Sequence, residues 1–237
     1  MSSEISQLSK QVRYLSYYAV TTSLAFVVFL LSGFRQQAQT FDLIRAKGII
    51  IEDSAGRDRI LIGAPIPASK NRLRTDTTLV RKYWGNHFKN ANQYMEWYKN
   101  YYHSAIGMVV MNEGGFDRVV MGDKLPDPNT GKRMFEASGL TFNDKEGWER
   151  GGLGVNTTKE GESRAAFGLD DDNGEAVHLV ALEDGTKGLM IGGENGRLLI
   201  GMSKKNRPWF QTKKAFTGIK YFSNEGKLLW EQDMSKK

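Results

Sequence analysis

A sixteen-residue unit, written three times, restricts what this chain can fold into more than any other feature. It runs Gly48 to Gly63 (GIIIEDSAGRDRILIG), Gly107 to Gly122 (GMVVMNEGGFDRVVMG) and Gly139 to Gly154 (GLTFNDKEGWERGGLG). In each copy a second Gly follows the first by eight residues, an Arg comes three later, and a closing Gly four after the Arg. Asp53, Asn112 or Asp144 stands three residues before the central Gly56, Gly115 or Gly147. There its side chain can bond turn amides while the Gly takes positive φ. Apolar runs on either side of such a turn predict a β-hairpin.

The connections repeat with the hairpins. Pro67 and Pro126 each fall four residues past a closing Gly and end a strand by withholding a ladder donor. Beyond Gly147 the turns quicken: Gly147, Gly161, Gly174, Gly185 and Gly196 are 14, 13, 11 and 11 residues apart, room for one strand and one turn each. Strands are expected over 164–169, 175–182, 186–192 and 197–202. The unit from Gly218 to Trp230 restores the eight-residue glycine spacing. Residues 176–182, AVHLVAL, are almost continuously apolar, which predicts burial on both sides in a stacked, sandwiched or oligomeric sheet. The fold class is therefore mainly β, a series of hairpins forming a solenoid-like or meander sheet over 48–230, with a polar tail at 231–237.

Ahead of the hairpins lies an uncharged stretch, Tyr14 to Phe34, YLSYYAVTTSLAFVVFLLSGF. Twenty or so such residues match the roughly 30 Å hydrocarbon core of a bilayer. The flanking Tyr14, Tyr17, Tyr18, Phe34 and Arg35 suit its interfaces. The stretch is long for a cleaved signal, and Ser32-Gly33-Phe34-Arg35 offers a poor cleavage site, so a retained signal-anchor is expected. Residues 1–13 place Ile5, Leu8, Val12 and Leu15 at helical spacing and read as an amphipathic extension of the anchor, with a coiled-coil seam as the alternative. Basic residues flank the span on both sides, and the short leading tail argues for an N-terminus in the cytoplasm and a C-terminal domain outside it. A short polar link in 35–47 then sets the first hairpin near the membrane surface.

The connection after the first hairpin alone carries a large insertion, residues 70–103. Seven Lys and Arg face only Asp76 and Glu96 there, so the segment supplies most of the chain's net charge of +6. Aromatics are dense in it. Leu79, Val80, Tyr83 and Trp84 share helical spacing, as do Tyr94, Trp97, Tyr98 and Tyr101, which predicts two short helices broken near Gly85-Asn86. Trp, Tyr and Arg dominate binding hot spots, so Tyr83, Trp84, Tyr94, Trp97, Tyr98, Tyr101, Arg81 and Lys82 are the candidate partner contacts. Two other readings stay open: the helices cap the sheet and bury their own rings, or they lie on anionic lipid. Nucleic acid is the poorest fit, with the domain outside the cell.

Catalytic and metal signatures are weak. The chain has no Cys, which removes disulfides, thiolate chemistry and lipidated Cys. His87, His103 and His178 lack metal-binding spacing. Asp170-Asp171-Asp172-Asn173-Gly174-Glu175 lacks the distal bidentate carboxylate of a calcium loop and reads as a turn. Arg59, Arg118, Arg150 and Arg164 recur at one place in the repeat and are expected to pair with turn carboxylates such as Asp53 and Asp144. No cofactor is expected.

The motifs GIIIED, RILIGAPIP, KNR, MEWYK, GFDRVVMGD and PDPNTGKR, in this order behind one span, resemble a Bacteroidetes-type family of membrane-anchored β-hairpin repeat proteins of unknown function. The resemblance covers roughly residues 40–200 and implies a bacterial envelope protein of this architecture. It carries no catalytic residues. The function expected is non-enzymatic: a scaffold or accessory subunit of a membrane protein complex, self-associating, with a trimer as the expected form. A surface adhesin or glycan-binding module using Trp209 or Trp230 is the alternative, and an envelope enzyme of undefined reaction comes third.

Overall fold

In the computed structural model, residues 2–33, 42–99, 101, 105–127 and 136–236 are described. The chain divides into two compact units, Met1–Arg45 and Ala46–Lys237. The first is dominated by one helix, α1 (Ser2–Gly33). It is apolar and long enough to cross a membrane over Ser3–Ser32. Its hydroxyls turn back onto its own carbonyls, Ser16 donating to Val12 at 2.9 Å, Thr22 to Tyr18 at 2.8 Å and Ser32 to Val28 at 2.6 Å. In hydrocarbon, where water cannot serve them, such bonds remove the cost of carrying hydroxyls.

The second unit is one antiparallel meander of twelve strands, paired in chain order from first to last. The strands are β1 (Gly48–Glu52), β2 (Asp58–Gly63), β3 (Ile106–Met111), β4 (Asp117–Asp123), β5 (Glu136–Asn143), β6 (Glu149–Thr157), β7 (Ser163–Asp171), β8 (Gly174–Ala181), β9 (Lys187–Gly193), β10 (Gly196–Ser203), β11 (Phe216–Phe222) and β12 (Leu228–Asp233). The meander alternative is the one realised. The duplicated unit closes as expected. The Asp53 carboxylate accepts from the Ala55 and Arg57 amides at 3.0 and 3.1 Å, and Gly56 takes φ 72°. Asn112 and Asp144 make the same pair of bonds in their hairpins. Among the described residues, three of the four recurrent arginines pair with carboxylates as their position predicts, Arg59 with Asp53 and Arg150 with Asp144, each at 3.1 Å, and Arg164 with Glu183. They stitch hairpins together as well: Arg59 donates to the Met111 carbonyl and Arg118 to that of Asn143.

Register explains why each unit is bracketed by glycines. Gly48 faces Gly63, Gly63 faces Gly107, Gly107 faces Gly122, Gly122 faces Gly139, and Gly139 faces Gly154. Ala166 and Val180 continue the row, and Gly188, Gly201 and Gly218 resume it. A Cβ on Gly122 would sit 2.0 Å from the Ile106 carbonyl oxygen and 2.8 Å from the Gly107 Cα, at φ 153°. Backbones meet where side chains would stand, so a one-residue slip is sterically barred.

The two faces differ. One face carries two caps. Under the first, Leu61, Val109, Met111 and Val120 pack with Ile66, Ala105 and Leu125 from the connections. Under the second, Leu199, Phe216 and Phe222 pack with Phe210 from the 204–215 connection. The other face is open. Within one copy the apolar run at 176–182 divides between the faces: Val180 is buried on the capped face, while Leu179 stands 50% exposed on the open one.

Gly122→Val should cost about 2 kcal/mol or more in denaturant unfolding, by strain and displaced backbone. Gly168→Ala should be nearly neutral, since its Cβ would meet nothing nearer than 4.0 Å. Equal losses at both sites would refute the paired-glycine account. A second test is acid. Partial burial works against ionisation of Asp53, but hydrogen bonds from the Arg57 amide and the Arg59 and Arg57 side chains hold its pKa at about 2, below 3.8. A depressed carboxylate stabilises fully above its unfolded value and is lost as pH falls through its folded one. Stability should therefore drop between about pH 4 and pH 2 more steeply in the wild type than in Asp53→Asn; parallel acid limbs would sink the assignment.

Candidate functional site

The insertion is built from α2 (Thr77–Tyr83), a 3-10 turn (Gly85–His87) and α3 (Ala91–Tyr98). Asp76 caps α2 by accepting from the Thr78 and Leu79 amides, and Asn90 caps α3 by accepting from Gln93. The break falls at Gly85, as expected from the sequence. The helices do not stand away from the sheet. Leu73 donates its amide to the Gly115 carbonyl at 3.0 Å, and a Cβ on Gly115 would lie 1.9 Å from the Asn71 carbonyl oxygen. The second hairpin's central glycine thus serves both its own turn and the crossing of the insertion.

Two buried arginines pin the segment down. Arg72 forms a two-pronged pair with Asp117, 2.7 Å at the shortest, with both side chains almost fully enclosed. Burial alone would lower the Arg72 pKa, but the Asp117 carboxylate overrides it and raises it above its ordinary value. Arg74 is fully buried and is held by aromatic faces. Its guanidinium lies 3.8 Å from the Trp84 ring centroid and 5.8 Å from that of Tyr101, and it donates to the Gly147 carbonyl at 2.9 Å. Desolvated cation–π contacts of this kind are worth about 2 kcal/mol.

The eight residues expected to meet a partner separate into two sets. Trp84, Tyr94, Tyr98 and Tyr101 are buried together with Val80, so the rings expected as contacts form this unit's own core. Phe88, Tyr94, Tyr98 and Tyr101 stack in series, with centroids 4.7, 6.1 and 4.9 Å apart. Tyr98 donates its hydroxyl to the Arg74 carbonyl, and burial pushes its pKa well up. Tyr83 is half-buried against Trp84 and Phe116. Trp97, 40% exposed, and Arg81 and Lys82 remain on the surface. The correction has a physical reason: the hairpin turns supply Phe116 and Trp148 but too few apolar side chains for a core, and the insertion completes it. His103 lies outside the described residues.

A wider apolar surface lies on the sheet itself, and of the residues expected to bind from the sequence it includes Trp230, 50% exposed. On the open face, one unbroken row crosses all twelve strands: Ile49, Ile62, Met108, Met121, Leu140, Leu153, Phe167, Leu179, Leu189, Ile200, Ile219 and Gln232. Beside it runs Ile51, Ile60, Val110, Val119, Phe142, Gly151, Leu169, Val177, Ile191, Leu198, Tyr221 and Trp230. Gly151 apart, no residue in either row is buried. At strand spacing the band is about 53 Å long and about 14 Å wide, larger than the apolar patches of ordinary monomers. The alternation at 49/51, 60/62, 108/110 and 119/121 was visible in the sequence as strand pattern; that the strands share one face follows only from register.

On the capped face, a trough of about 610 Å³ lies between the caps. Gly139, Gly152, Gly154 and Gly168 line it, with Leu125 and Trp209 among its walls. Its polar groups include Glu149, Asp170 and His178, whose Nδ1 lies 3.2 Å from the Glu175 carboxylate. Burial, with Glu175 nearby, raises the Asp170 pKa, while the His178 hydrogen bond lowers that of Glu175.

Tyr98→Ala should cost about 3–5 kcal/mol in chemical unfolding, the range for deleting a buried aromatic, whereas Trp97→Ala should stay within about 1 kcal/mol; reversal of that order would return the insertion rings to the surface. Compared with known proteins, the chain matches no family model, no curated protein and no solved structure.

Proposed function

We propose that this chain is a non-enzymatic scaffold or accessory subunit of a membrane protein complex, held in a bacterial cell membrane by α1 with its sheet on the extracytoplasmic side. The observation that carries the reading is the open face: two rows across twelve strands, apolar but for Gln232 and Gly151, with Leu153 at 51% and Trp230 at 50% exposure. Water-facing apolar area of this extent marks a contact surface for protein or membrane, and a rigid sheet face suits protein. The envelope location rests on α1, long and apolar enough to cross a membrane, and on the resemblance in motif order to membrane-anchored bacterial repeat proteins. Docking is assigned to the sheet, because Trp84, Tyr94, Tyr98 and Tyr101 are spent on the core.

The alternative, a glycan-binding module, draws on the trough. Gly168 needs no glycine on packing grounds, so its missing side chain keeps the trough floor clear, and Trp209 supplies an aromatic wall. Deleting residues 70–103 cannot separate the readings, since it would remove the core. Point changes can. Native particles purified from membranes should contain the chain bound to protein in fixed stoichiometry, and Leu153→Lys with Leu179→Lys should release that protein while the isolated chain keeps its melting temperature. Retention of bound protein by the double variant would overturn the scaffold reading. Glycan-array binding that survives this variant and is lost in Gly168→Leu would establish the alternative.

A further inference from the structure

We infer that the open face is covered by the same face of a second copy of this chain, related by a twofold axis parallel to the strands. This deepens the scaffold reading and rests on it. Three observations lead there.

The first is pitch. The rows are periodic at strand spacing, about 4.8 Å, over about 53 Å. A surface that repeats with the same period and length can interdigitate along the whole band. A second twelve-stranded sheet does so, and sheets pack face to face about 10 Å apart. The second is area. A band of about 53 by 14 Å offers about 700 Å² per copy, near the roughly 800 Å² that each partner contributes to a stable interface. The third is charge. The next row on the open face runs Ile106, Asp123, Ser138, Val155, Ala165, Ala181, Lys187, Met202 and Thr217. Its two charged residues are Asp123 on β4 and Lys187 on β9. Strand β4 is fourth from one edge and β9 fourth from the other. A twofold parallel to the strands keeps each row opposite itself and reverses strand order. It therefore brings Asp123 of each copy opposite Lys187 of the other, forming two ion pairs per dimer. Such self-complementarity is what an isologous interface requires.

The test uses the full chain in mild detergent, its protein mass measured across a dilution series. The wild type should be a dimer. Lys187→Asp brings carboxylates face to face twice and should weaken association at least about tenfold; adding Asp123→Lys restores opposite charges and should recover it. Melting curves establish that each variant is folded, and recovery in the double variant could not come from misfolding or from contacts between anchor helices. A monomeric wild type overturns the inference, as does a dimer indifferent to the reversal, or a trimer or ladder of masses, which would point to pairing through the edge strands. So does uptake by phosphatidylcholine vesicles that the Leu153→Lys and Leu179→Lys double variant abolishes. A different protein held in fixed ratio against the open face overturns it too but leaves the scaffold reading standing; failure of both leaves a monomer that holds no protein.

Discussion

Register governs this molecule, and glycine enforces it. In a meander each strand is aligned only by its neighbour, so an error in one hairpin would pass to every strand beyond it. Side chains alternate with period two, and a slip of one residue would turn the whole apolar set to the wrong face. Two devices set the alignment locally. The Asp, Asn or Thr at the turn fixes loop length by accepting amides two or four residues on. The facing glycines then admit only the alignment in which backbone meets backbone. The glycine row on one face and the apolar rows on the other are two results of the same registration.

That solution leaves the capped face poor in apolar side chains, and the insertion answers the shortage. Gly139, Gly152, Gly154 and Gly168 contribute no side chain there, so the sheet alone could not bury much. Trp84, Tyr94, Tyr98 and Tyr101 bring large apolar surface from a connection, and Phe210 does the same at the far end. Arg74 shows how firmly the first cap is committed. A fully buried cation is costly without compensation, and here a Trp face, a Tyr face and a backbone carbonyl supply it. An Arg to Lys exchange would lose the planar stacking.

Much of this was legible in the residues. The hairpins, the breaking of the insertion at Gly85, and the pairs of Arg59 with Asp53 and Arg150 with Asp144 all follow from local spacing, because turns and short helices are local structures. The destination of the aromatics was not. Composition makes the same statement about a hot spot and a core. A sharper signal was available for the basic pair, since Arg81 and Lys82 fall off the stripe that Val80 and Trp84 make, whereas Trp97 shares the spacing of Tyr94, Tyr98 and Tyr101 and only the packing leaves it outside. The open face lies further from reach. Each strand shows its own alternation, but a row twelve strands long exists only once twelve registers are fixed.

The pairing of strands in strict chain order has a consequence for synthesis. Each strand finds its partner in the strand made just before it, so the sheet can grow as the chain is extruded, with no need to wait for distant segments. The insertion is the exception. Arg72 must wait for Asp117, 45 residues on, and Arg74 for the Gly147 carbonyl, 73 residues on. During that interval a buried-type arginine and a stack of aromatic rings are exposed beside an edge strand that is seeking a neighbour. The third hairpin is therefore the point at which the insertion's buried contacts can first be completed.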